Sequence, residues 1–482
     1  MADRDPGKEA HHKAVEEVVG GRGNLAAGAG VAANSADRAT VGARRHENGN
    51  VPVPAFDDHH PPAIELIDDC VHCGFCLPTC PTYLLWGEEM DSPRGRIYLM
   101  REGLEGEAMT DEMARHFDQC LGCLACVTAC PSGVQYDKLI EATRQQVDRR
   151  HERTHTDRLF RDLIFKLFPY PNRLKVMLAG LRPYKALGLQ TLVRRGPLGK
   201  LLPERLRAME SLTPDLPKDT APVPALTPAK GPIRKRVGML TGCVQRVFFP
   251  HVNAATARVL AAEGCEVVAP PAQGCCGALS FHAGREAEGI EFARRTIETF
   301  ENAGVENIVV NVAGCGSAMK EYGYLLRDDP AFAGRAKAFS AKVRDVSEFV
   351  HELGPVAPRS PIPMQAAYHD ACHLAHGQGI RKQPRDLLRG VPGLELKDIA
   401  ESEICCGSAG IYNLVEPEPA AQLGERKAKN ILNTGARVII SGNPGCLLQI
   451  RSSMEKLGED VVIAHPMQVI DASIRGVGIG EG

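Results

Sequence analysis

CVHCGFCLPTCP (residues 70–81) and CLGCLACVTACP (residues 120–131) place cysteine at the same four positions, and proline follows the last of them each time. Three thiolates spaced in this way cap one face of a cubane of iron and sulfide, and the fourth, before proline, ligates the neighbouring cluster. The spacing therefore assigns Cys70, Cys73, Cys76 and Cys130 to one [4Fe-4S] centre and Cys120, Cys123, Cys126 and Cys80 to a second. Zinc knuckles also use Cys-x2-Cys pairs, but they do not call for a third close cysteine and a Cys-Pro ending, twice over. Arg94 and Arg96, between the runs, read as charged helical residues facing solvent, with tuning of a cluster as the alternative.

Outward from these runs, composition narrows the protein class. The chain has 482 residues, more than one ordinary core holds, so two or three domains are expected. Its formal charge of −2 gives no field that would draw it to nucleic acid. Seventeen cysteines without an apolar signal segment in residues 1–30 point to reduced, metal-bound thiols in a cytoplasm rather than to a disulfide framework. No apolar run reaches the roughly 18 residues that a membrane-spanning helix needs.

Residues 1–62, rich in Ala, Gly, His and mixed charge, read as a disordered leader, and 63–155 as the two-cluster domain. Residues 156–235 form a connector. Its first part, 158–202, reads as basic, amphipathic helix broken at Pro171 and Pro183, and its second as a proline-rich linker. Beyond Arg236, runs such as VGML, NIVV, QAAYH, RVIISG and DVVIAH alternate with helical segments, which argues for α/β units on parallel sheets.

A duplication lies inside this half. Cys243, Cys275-Cys276-Gly277 and Cys315 recur as Cys372, Cys405-Cys406-Gly407 and Cys446, at offsets of 129, 130 and 131 residues. Two copies of one fold, 236–360 and 361–482, each with one four-cysteine metal site, are expected. In a doubly wound unit the loops at the carboxyl ends of the strands converge, which would bring three separate segments to one crevice. Gly277 and Gly407 would let backbone N–H groups approach sulfur. Buried structural cysteine is the plainer alternative for these sets, and the better one for Cys265, which has no counterpart in the second copy. His251, His282, His369, His373 and His376 lie near the cysteines, and His373, beside Cys372, is the first to test. The fold class is thus α+β multidomain: a helical, ferredoxin-like two-cluster domain followed by duplicated α/β Cys-Cys-Gly domains.

Together with DSPRGRIYLM (91–100), GCCGALSFH (274–282), CCGSAGIYNL (405–414) and NPGCLLQI (443–450), these runs resemble the iron–sulfur subunits of bacterial glycolate oxidases, or glycolate dehydrogenases, from Asp69 to about Ile470. The wider family, which includes subunits serving D-lactate and glycerol-3-phosphate oxidation and heterodisulfide reduction, shares these parts. The resemblance implies an electron-transfer subunit. Separate flavin-binding subunits would oxidise glycolate to glyoxylate, and electrons would pass to a quinone or another acceptor that is not NAD, at the inner face of the cell membrane. Heterodisulfide-reductase-type units close with Cys-x-x-Cys, whereas Ala318 and Gln449 stand at the closing positions here. That departure weighs against disulfide or quinone reduction at the Cys-Cys-Gly sets, and leaves further iron–sulfur, zinc or bare thiols open there. A zinc-structured scaffold is the non-redox alternative. No glycine fingerprint of a flavin or nicotinamide fold follows a strand.

Overall fold

The computed structural model describes residues 53–196, 201–213 and 221–479. The expected leader lies mostly outside the described residues. Its last ten residues do not behave as a leader, because Ala55 and Phe56 are buried against the first domain and the Ala55 N–H donates to the Glu107 carbonyl at 2.7 Å. Besides the buried Phe56, the Asp57 N–H donates to Gln146 Oε1 at 2.8 Å and the Asp57 carboxylate accepts from Arg149 Nε at 2.9 Å, which holds this proline-rich segment in place.

The first domain is helical. Helices Ile64–Asp68, Pro93–Leu104, Asp111–Asp118 and Tyr136–Arg150 bury Ile67, Ile97, Met100, Phe117, Leu139 and Ile140 in one core. The Ser92 and Thr110 side chains accept from the N–H groups of Gly95 and Met113, both at 3.1 Å, and so fix where two of these helices begin. The cysteine runs occupy the loops between helices, except that Cys126 lies in the short helix Ala125–Ala129.

Two parallel sheets follow. The first contains β1 (Leu226–Thr227), β2 (Lys235–Leu240), β3 (Cys265–Val268), β4 (Asn307–Val310) and β5 (Val343–Asp345), in the order β1-β3-β2-β4-β5, and only β1 is antiparallel. The second contains β6 (Met364–Tyr368), β7 (Leu394–Lys397), β8 (Val438–Ile440) and β9 (Val462–Ala464), in the order β7-β6-β8-β9. The all-apolar runs in β4 and β8 are those of strands covered on both faces. In both sheets the chain leaves the central strand to one side and returns on the other, so the order reverses beside β2 and beside β6. Ligands of doubly wound folds gather at such points.

The connector is more than a spacer. In helix His155–Leu167, Ile164 and Phe165 pack on Ile411, Leu414 and Val415 of the second unit. In helix Pro171–Ala186, Leu174 and Leu178 pack on Val247, Phe248 and Val252 of the first. Pro171 starts that helix, as expected. Pro183 does not break it, because tertiary contacts hold the preceding turns and proline falls in the penultimate turn. Among the described residues no helix is long and apolar enough to cross a membrane.

Candidate functional site

The loops of the first domain interleave their sulfurs. Burial pushes the Cys70 thiol up and a backbone contact at His72 opposes it, while Cys130 and Cys73, standing beside it, raise it further. Burial takes Cys76 to about 11, with Cys70 and Cys80 among its neighbours. Cys126 is pushed well up by burial and by Cys123, Cys120 and Cys80. The fold thus brings Cys130 of the second run to the first set, and Cys80 of the first run to the second set, with Cys76 and Cys80 adjacent.

Cys120 runs the other way. Burial works against its ionisation, but the guanidinium groups of Arg96 and Arg144 hold its thiol below the usual range, helped by the Gly122 N–H at 3.3 Å and the Tyr136 hydroxyl at 3.7 Å. Arg96 is 1 % exposed, which overturns the expectation that it faces solvent. Its Nε donates to the His116 carbonyl at 2.6 Å, and its two terminal nitrogens donate to Thr82 Oγ1, both at 3.2 Å. The Asp91 carboxylate is 3.4 Å away. Arg94, mostly buried, pairs with Glu89 and donates to the His72 carbonyl of the first cysteine run at 3.1 Å. Helix Pro93–Leu104 turns its two arginines to different sides because they are two residues apart.

The Cys-Cys-Gly sets both lie at the carboxyl ends of the strands. Cys243 and Cys372 follow β2 and β6, the cysteine pairs sit in the loops after β3 and β7, and Cys315 and Cys446 lie in the helices after β4 and β8. In the first unit Cys243 Sγ and Cys275 Sγ are 3.5 Å apart. Hydrogen bonds from Cys275 and Cys315 pull Cys276 well down, and Cys315 is pushed well up by the same contact. In the second unit Cys372 is pushed well up, first by its hydrogen bond with Cys405, and Cys406 by its contact with Cys446 despite a hydrogen bond from Cys405. Thiols stacked this closely in a buried pocket cannot all ionise unless a cation sits among them. That donor set fits a thiophilic metal or an iron–sulfur cluster.

Gly277 and Gly407 have φ of +81° and +87°, and the Gly277 N–H reaches Cys275 Sγ at 3.3 Å. A Cβ on Gly407 would stand 2.5 Å from the Ala420 carbonyl oxygen, and one on Gly277 would stand 3.0 Å from that of Gly289. The glycines therefore admit both the left-handed turn and a helix against the cysteine loop. Neither closing position itself offers a metal ligand. Ala318 is core, and Gln449 is buried with its amide bonded to Asn413 and to the Ala420 carbonyl. Cys265 is wholly buried in β3, as packing predicted.

The second set adjoins the second run. Cys123 shares one buried cluster with Cys372, Cys405, Leu121, Tyr412 and Leu423, and Thr128 Oγ1 is 2.7 Å from His376 Nδ1. The first unit is reached through Arg144, whose guanidinium donates to the carbonyls of Cys120 and His282. The His282 ring lies 5.0 Å from that of His373, whose Nδ1 is 3.5 Å from Cys372 Sγ. Of the five histidines near the cysteines, it is His369 whose ring gathers with Cys406 and Cys446. Sequence order hid this, because His373 is the immediate neighbour of a cysteine and His369 is not.

Models of three families match the chain: a glycolate oxidase iron–sulfur subunit linker region at 156–213, a cysteine-rich domain at 237–320 and again at 366–451, and a 4Fe-4S dicluster domain at 66–134. The chain is 40% identical over 397 residues to the probable glycolate oxidase iron–sulfur subunit of Bacillus subtilis, covering 81% of this chain and 89% of that one. It is 36% identical over 396 residues to the glycolate oxidase iron–sulfur subunit of Escherichia coli, covering 81% and 91%. It is also 32% identical over 240 residues to lactate utilization protein A of an Exiguobacterium species, covering 50% of this chain and 98% of that one.

Proposed function

The chain belongs to the glycolate oxidase iron–sulfur subunit family, and from that premise we propose that it receives electrons from flavin-binding partner subunits oxidising glycolate to glyoxylate. It hands them to an acceptor other than NAD, a quinone of the cell membrane. Cys70, Cys73, Cys76 and Cys130 are the ligands of one [4Fe-4S] cluster in this reading, and Cys120, Cys123, Cys126 and Cys80 those of the other. Such clusters, when bound, take up and release single electrons.

The observation that carries the reading is the succession of sulfur sets. Cys76 neighbours Cys80, and Cys123 neighbours Cys372 and Cys405, so three donor sets follow one another from the surface, where Cys73 is exposed, into the interior. The chain's own residues make that interior suitable. Leu121, Ala125 and Leu423 exclude water around the second set. Arg96 and Arg144 place positive charge beside Cys120, which favours thiolate over thiol. For the cellular location we propose the cytoplasm, against the inner face of the membrane. The connector helices present exposed Leu159, Val176 and Leu187 in a basic sequence, a combination suited to anionic lipid.

The test is iron, zinc and acid-labile sulfide analysis of the full chain purified without oxygen, beside C73S and C123S variants. A brown protein with at least about eight irons and eight sulfides, of which each variant loses about four, is the expected result. Zinc without sulfide would remove the electron-transfer role.

A further inference from the structure

We propose that His369 is a metal ligand of the second Cys-Cys-Gly set, binding through a ring nitrogen beside Cys406 and Cys446, so that the two duplicated sites differ in ligand chemistry. This rests on the reading of the second set as a metal site.

His369 is the first residue after β6, and its backbone N–H donates to the Ile440 carbonyl at 2.8 Å, which fixes its place over the sheet edge. Its side chain is 1 % exposed, yet neither ring nitrogen has a hydrogen-bond partner. Burying a polar group without a partner costs on the order of 1–3 kcal/mol, so an imidazole with two orphaned nitrogens in a native interior calls for an unseen partner. One ring nitrogen, Cys406 Sγ and Cys446 Sγ all lie within 4.8 Å of one another. Bonds of about 2.0–2.1 Å to nitrogen and about 2.3 Å to sulfur let a single ion reach all three from such a spacing.

The surroundings hold the trio in place. Asn443 Nδ2 donates to Cys446 Sγ at 3.2 Å, and the Lys427 ammonium, 2 % exposed, donates to the Glu401 carbonyl at 2.5 Å and the Ser402 carbonyl at 3.3 Å, near Cys405 and Cys406. The first unit has no equivalent. β2 runs into Leu240 and Thr241, and the Thr241 N–H is engaged by Gln273 Oε1 at 2.7 Å. No trio of donor atoms as close as that of the second unit occurs there among the described residues.

The ligand class is a soft, thiophilic metal: zinc, or iron within a cluster. A neutral imidazole in place of an anionic thiolate lowers the negative charge of the site, and in an iron–sulfur centre that change raises the reduction potential. The second site would then accept an electron more readily than an all-cysteine set, and it is the site that adjoins Cys123.

The test compares wild type, H369A and C446S as full chains, purified anaerobically. It reads metal content, retention against a chelator, and nitrogen coordination in the wild type, by zinc-edge X-ray absorption if the extra metal is zinc or by pulsed EPR with 15N-histidine if it is iron. A histidine-nitrogen signal, with at least about a 100-fold weaker hold on the extra metal in H369A, is expected, a loss beyond that for an outer-sphere partner. Metal lost in C446S but kept in H369A, with no histidine nitrogen in the wild type, would overturn the proposal and leave the metal site standing. Metal content unchanged in both variants would overturn the metal site itself. The wild-type measurement decides the matter even if H369A does not fold.

Discussion

The two Cys-Cys-Gly units share strand order, cysteine placement and the left-handed glycine, yet they are joined to the rest of the protein by different forces. The second unit meets the second cysteine run mainly through apolar side chains, Leu121 and Ala125 against Tyr412 and Leu423, with one hydrogen bond, between Thr128 and His376. The first meets it through polar tethers: Arg144 to the His282 carbonyl, His282 to Glu141 at 3.1 Å, and Lys138 to Glu321. Duplication copied a fold and a ligand frame, and context then gave one copy a dry contact with the cluster-bearing loop. A repeated motif therefore does not imply a repeated role.

The difference between the copies is sharpest at the glycines. Alanine at Gly407 would meet a carbonyl at 2.5 Å in a left-handed turn, so G407A is expected to cost about 3 kcal/mol or more, against about 1–2 kcal/mol for G277A, whose nearest contact is 3.0 Å. Urea unfolding of both variants at fixed metal content measures this, and equal losses would mean that the copies are equally tight. Next, R144M removes two charge-assisted hydrogen bonds, one to the Cys120 carbonyl of the second cysteine run and one to the His282 carbonyl of the first unit. A loss of about 2 kcal/mol is expected, with faster amide exchange in helix Ala278–His282 and no change around Leu423. Faster exchange in both units would show that they open together.

The two copies also differ in pH dependence. The helices after β5 and β9 begin with matched capping boxes, Asp345 with Glu348 and His465 with Gln468. Burial raises Asp345 to about 6 and lowers His465 to about 3, in each case favouring the neutral form. The Asp345 contribution is full below its unfolded value near 3.8 and is lost as pH rises through about 6. That of His465 is full above about 6.5 and is lost as pH falls toward 3. Each contributes a slope of about 1.4 kcal/mol per pH unit, of opposite sign, between about pH 4 and 6. Relative to wild type in that window, D345N should tilt the stability curve toward rising with pH and H465N toward falling, each by about 1.4 kcal/mol per pH unit. Parallel curves for the two variants would count against buried, neutral caps.

The eight cysteines of the first domain were legible because their ligand loops are contiguous: spacing alone limits what three thiolates within seven residues can hold. The Cys-Cys-Gly sets were legible for a different reason, since repetition at a nearly constant offset marked them before any fold was known. β3, β5 and β7 were harder to see, because CEVV, VRD and LELK are too short and too mixed to show periodicity, and sheet neighbours supply most of their stability.

What sequence by itself determined, then, is the inventory: two cysteine runs of one spacing, two copies of one α/β unit, and the cysteines that recur in each copy. Tertiary structure alone decided the rest. It buried Arg96 beside Cys120, placed Cys123 against Cys372, kept Pro183 inside a helix, packed residues 53–62 onto the first domain, and chose His369 over His373 as the imidazole facing Cys406 and Cys446. The physical reason is that ligand spacing acts over a few residues of chain, whereas burial, charge pairing and the cost of an unpartnered nitrogen depend on neighbours brought from far along it.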